Sequence, residues 1–122
     1  MRRDPRYAQW LAIADELESL HSFLYGPKGY WVKARNTYHE VVDLLRSAQW
    51  IRDKCATGGW YWWDKTTISA RAESPLDSLN HVIGDNGRGS YESSEEGRAL
   101  LARIERLEAQ IAALSRTPWS KP

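Results

Sequence analysis

"GGWYWWDKTTISAR", residues 58–71, holds three of the chain's seven tryptophans and a tyrosine in a run of four. Its reading decides whether the protein is purely helical. The run is rich in aromatic and β-branched side chains and lacks an obvious helical period, which predicts a strand. It either turns back at Asp64-Lys65 as a hairpin or pairs with "YWVKAR", residues 30–35, read as extended. Strand alternation places Trp60, Trp62, Ile68 and Ala70 on a core side and Tyr61, Trp63, Lys65 and Arg71 on the other. The second set joins aromatic faces to cations, as protein interfaces and base-stacking platforms do. The competing reading buries both faces between helices.

Outward from this run the chain reads as helix. Toward the N-terminus, Asp4-Pro5 is a start signal, with Asp as cap and Pro at the first helical position. Tyr7, Trp10, Leu11, Ala14, Leu17, Leu20 and Leu24 then recur at spacings of three and four, and Gly26-Pro27 ends the helix. A capping box, Thr37-Tyr38-His39-Glu40, opens a second helix running to about Ala56. Its buried face is Val41, Leu44, Leu45, Ala48, Ile51 and Cys55.

Toward the C-terminus, Ser74-Pro75-Leu76-Asp77 predicts the start of a short helix through Leu79, Val82 and Ile83, closed by Gly84. "GDNGRGS" follows as a loop. Ser93-Ser94-Glu95-Glu96 caps a long last helix ending near Arg116. The expected fold is therefore mainly α: three substantial helices, one short helix and a minor aromatic strand or hairpin. Residues 1–116 form one domain and residues 117–122 a flexible tail.

Composition bounds the partners. Seventeen basic residues stand against sixteen acidic, a net charge of +1, so neither a strongly basic nucleic-acid binder nor an acidic mimic is indicated. Cys55 is the single cysteine, which excludes an intrachain disulfide and fits a reducing cytoplasm. "MRRDPRYAQW" lacks the apolar core of a secretory signal, and no uncharged stretch is long enough to span a bilayer. A cytoplasmic protein without membrane association is expected.

Candidate sites are few. Trp50 lies opposite the apolar stripe of the second helix, in the company of His39, Asp43, Arg46 and Lys54, with Arg46 placed to stack on its ring. An exposed Trp among charges is a contact candidate; the competing reading covers it with another element of the same chain. His39 to Asp43 resembles a zinc-protease helix only loosely, because Asp replaces the second His and Glu40 already serves the capping box. No metal and no cofactor are expected. Arg88 in the glycine-rich loop is a weak anion-binding candidate, since the loop lacks the Lys-Ser/Thr ending of a phosphate loop. The serines and Cys55 have no activating context.

The last helix carries Leu100, Ile104, Leu107, Ile111 and Leu114 at four-three spacing, with Ile at a and Leu at d. That combination favours parallel pairs, and Arg103 at g faces Glu108 at the following e. Self-association as a homodimer competes with packing of the same stripe inside one chain. These features point to a non-enzymatic protein-binding module, concretely a small adaptor or inhibitor of a larger machine as phages and mobile elements encode. The alternative is a binder of a nucleotide-like ligand or single-stranded nucleic acid, stacking on Trp63, Tyr61 and Trp50 with Arg46, Arg71 or Arg88 on phosphate.

Overall fold

The computed structural model describes residues 5–24, 37–57 and 61–116, with side chains described for 6–24, 42–57 and 67–115. It contains α1 (Pro5–Leu24), α2 (Thr37–Thr57), α3 (Tyr61–Asn86), α4 (Arg88–Glu92) and α5 (Glu95–Arg116). Among the described residues there is no strand. The extended segment expected at 30–35 and the tail at 117–122 lie outside the described residues.

Four of the helices close into an up-down-up-down bundle. Cross-helix contacts give the directions. Cys55 Sγ reaches the Tyr7 carbonyl at 3.9 Å while Arg52 pairs with Asp15 at 2.7 Å, so α1 and α2 run antiparallel. Ser69 meets Ser115 at 2.7 Å and Asn80 donates to Glu108 at 3.2 Å, so α3 and α5 are antiparallel. Arg103 donates to Ser19, and Gln9 shares a groove with Ala113, which makes α1 and α5 antiparallel as well. Each long helix packs on two neighbours, in the cycle α1, α2, α3, α5. That arrangement lets every apolar stripe face one axis.

The core follows from the period. Tyr7, Trp10, Ala14, Leu17, Leu20 and Leu24 on α1 are buried, as are Leu44, Ala48, Ile51 and Cys55 on α2. Both sets are those expected from the spacing. Leu11, expected on the same face of α1, is only half-buried, the Val41 side chain lies outside the described residues, and Leu45 departs outright, 38% exposed and the one exposed large hydrophobic residue among those described.

The aromatic run is where expectation and structure part. Residues 61–71 belong to α3, not to a strand. Ile68 and Ala70, assigned to one strand face, differ completely: Ile68 is buried and Ala70 exposed. The operative pattern is Ile68, Ala72, Leu76, Leu79 and Ile83, a helical spacing of four, four, three and four that runs straight through Pro75. Ser74-Pro75 is therefore helix interior, not a helix start. A proline there removes one backbone donor and costs about 3 kcal/mol. Four buried Ile and Leu side chains, at roughly 1.5–3 kcal/mol each, outweigh it.

Nor does Gly84 end the helix, which continues to Asn86. The break comes at Gly87, whose φ of +89° is open to glycine and strained for other residues. The expected loop holds the short helix α4. Ser93 closes α4, and Ser94 caps α5, its Oγ accepting from the Gly97 N–H at 3.0 Å. Glu95 and Glu96 in the first turn suit the positive end of the helix dipole.

Candidate partner-binding surface

Of the sequence-named contact residues, the side chains of Trp50, Arg46 and Arg71 are described. The Trp50 indole is half-buried against the core, with the Lys54 ammonium 5.5 Å from its ring centre. Arg46 is not over that ring; its guanidinium lies 3.7 Å from Asp43, with both side chains exposed. Arg71 is exposed on α3, and no hydrogen bond, ion pair or ring contact joins it to Trp50 or Arg46. The side chains of His39, Tyr61, Trp63 and Lys65 lie outside the described residues. Their grouping on one strand face nevertheless lapses, because positions 61 and 63 of a helix are turned about 160° apart.

In the glycine-rich corner much of the backbone is already paired. Gly87, Ser90, Ser93 and Ser94 N–H donate to the carbonyls of Gly84, Gly87, Gly89 and Tyr91. Arg88 stands 3.9 Å from Glu92 in an exposed pair. The corner is instead a packing joint. Tyr91 is buried, its hydroxyl accepts from Asn86 at 3.1 Å, and its carbonyl crosses Gly97 so closely that a Cβ there would sit 2.0 Å away.

The α5 stripe lies inside its own chain. Leu100, Ile104, Leu107, Ile111 and Leu114 are all at most 6% exposed, within the common core. The flanking charges have intrachain partners too. Arg103 donates to Ser19 at 2.8 Å and stacks over Phe23 at 5.3 Å, while Glu108 accepts from Asn80. A coiled-coil seam through this stripe would have to open the bundle.

Among the described residues, an open groove lies on the outer side of α1 and α5. A groove of about 770 Å³ runs between them, lined by Gln9, Ala12, Ile13 and Glu16 on one wall and Arg106, Gln110, Ala113 and Leu114 on the other, with Asp15 at its edge. Ile13 and Leu114 form an apolar floor, at 3% and 6% exposed. Ala12 and Ala113 are exposed, so the walls are low at those positions. Asp15 is already engaged: with Glu18 it holds Arg52, whose pKa these carboxylates raise. Glu16 and Arg106 carry no ion pair or hydrogen bond from their side chains among the described residues.

Sequence reasoning missed the groove. Apart from Ile13 and Leu114, its residues occupy polar faces and are individually ordinary. The available signal was pairs of small residues outside the apolar stripes, Ala8 and Ala12 on α1 and Ala109 and Ala113 on α5, all exposed. Among the described residues no cluster of His, Cys, Asp and Glu is arranged to hold a metal ion, and no helix is long and apolar enough to cross a membrane. Comparison with protein-family models, curated proteins and solved structures finds no match to this chain.

Proposed function

We propose that the chain is a non-enzymatic protein-binding module, a small cytoplasmic adaptor or inhibitor, and that the α1–α5 groove is its contact surface. The observation that carries this reading is the groove's construction. Exposed alanines low enough for close approach, seated over the buried Ile13 and Leu114 and ringed by amides and charges, give the small-centre, polar-rim pattern of an interface. Ile13 and Leu114 already belong to the bundle's core, so what the groove itself exposes is the two alanines and the polar rim. A helix laid along the groove would cover the exposed Ala12 and Ala113 and leave its charged flanks at the rim.

Ala12→Arg tests this. Ala12 is exposed, so the variant is expected to melt within a few degrees of the parent. The long cation would fill the groove. Proteins captured by the tagged parent from its native cell should be lost from the Ala12→Arg sample. An identical set of captured proteins, with a second copy of the chain counted among possible partners, would remove the groove from the account.

A further inference from the structure

Resting on that reading of the groove, we propose that its occupant is a second copy of this chain, docked about a two-fold axis parallel to the helices. The register across the groove is the basis. Arg103 on α5 bonds Ser19 on α1, and the two helices are antiparallel. Stepping along both helices from this level sets Arg106 beside Glu16, Gln110 beside Ala12, and Ala113 beside Gln9. All six residues line the groove.

A two-fold axis along the groove preserves height and exchanges the walls. It sets α1 of one copy over α5 of the other. Glu16 then faces Arg106 of the second copy, and the same pair forms twice. Ala12 faces Gln110 and Gln9 faces Ala113, so at each level a long amide meets a small side chain. Charge and shape are both self-complementary under one operation, as an isologous interface requires. Inside a single chain Glu16 and Arg106 stand on opposite walls and are not paired. Docking supplies each with the opposite charge in a site drier than the open surface. The near-zero net charge, +1 per chain, offers little long-range repulsion to this approach. The dimer expected from the α5 stripe is thereby moved to the outer face of α5, and the core is left intact.

The test is size exclusion with light scattering over a dilution series at modest salt, where the pairs are least screened. The parent should be a dimer that dissociates on dilution. Glu16→Arg alone and Arg106→Glu alone should each weaken it by roughly tenfold or more, since each sets like charges together twice. The double variant Glu16→Arg/Arg106→Glu should recover most of the affinity. All three change residues outside the core, and melting temperatures close to the parent's will show that the fold persists. A parent that stays monomeric at every concentration overturns the proposal. So does a dimer indifferent to both single reversals, which must use another face. A monomer whose capture of a different protein is lost in Ala12→Arg overturns the second-copy assignment while leaving the groove reading in place. Failure of both experiments removes the groove altogether.

Discussion

Gly97 and Gly84 are both helical glycines with opposite expected responses to the same change. At Gly97 an added Cβ would lie 2.0 Å from the Tyr91 carbonyl oxygen, a backbone atom that yields only if α4 moves. Gly97→Ala should cost at least about 1–3 kcal/mol, the usual penalty for overpacking. At Gly84 the Cβ meets nothing within 4 Å, and alanine in an exposed helix gains about 1 kcal/mol over glycine. Urea unfolding of the two variants should therefore shift in opposite directions; shifts of one sign would show that the α4–α5 corner is misplaced. His21 supplies a pH-dependent counterpart. Burial lowers its pKa below the ordinary 6.5, partly opposed by Glu18. The unfolded chain takes up the proton near pH 6.5 and the folded chain only at lower pH. This contribution to stability is present above about pH 6.5 and lost as pH falls from there through the lower folded-state value. His21→Gln should flatten the fall in urea midpoint between about pH 7.5 and 5.5 relative to the parent. An unchanged slope would mean that the proton uptake belongs to other groups.

At the scale of the element, α1, α2 and α5 were legible because their apolar residues keep helical spacing between recognisable start and stop signals. Helix α3 was not. Its first turns are built of residues with high strand preference, and Ser74-Pro75 imitates a helix start in mid-helix. The spacing of Ile68, Ala72, Leu76, Leu79 and Ile83 was present in the sequence, but reading across a proline runs against local preference. Tertiary burial decides the matter here, as it commonly does over propensity. The two readings give opposite predictions for Pro75→Ala. If Pro75 were the first residue of a helix, its fixed φ would favour the start and its loss would destabilise. In the interior of α3, alanine restores an N–H that can reach the Arg71 carbonyl. The unfolding midpoint should then rise, by up to about 3 kcal/mol less the lost packing of the buried ring. A fall in stability would contradict an interior place for Pro75 in α3.

For the whole molecule, that α5 carries a buried stripe was legible, but which chain buries it was not. Heptad spacing describes a seam and is silent about the partner that fills it. The groove was less legible still. Gln9, Ala12 and Glu16 become one wall only when Arg106, Gln110 and Ala113 are placed opposite, and that adjacency is a property of bundle closure. The account therefore depends on α5 closing the bundle within one chain, with its outer face left for a partner. Ser69 and Ser115 mark that closure, their hydroxyl oxygens 2.7 Å apart across α3 and α5. The direct measurement is oxidation of a Ser69→Cys/Ser115→Cys variant, with Cys55 replaced by Ala, followed by non-reducing electrophoresis and mass spectrometry. The separation is within reach of a disulfide. The bundle predicts an intrachain bond, formed in high yield at high dilution, with the chain running as a monomer once denatured. Interchain cross-linking only, or two free thiols after oxidation, would contradict it.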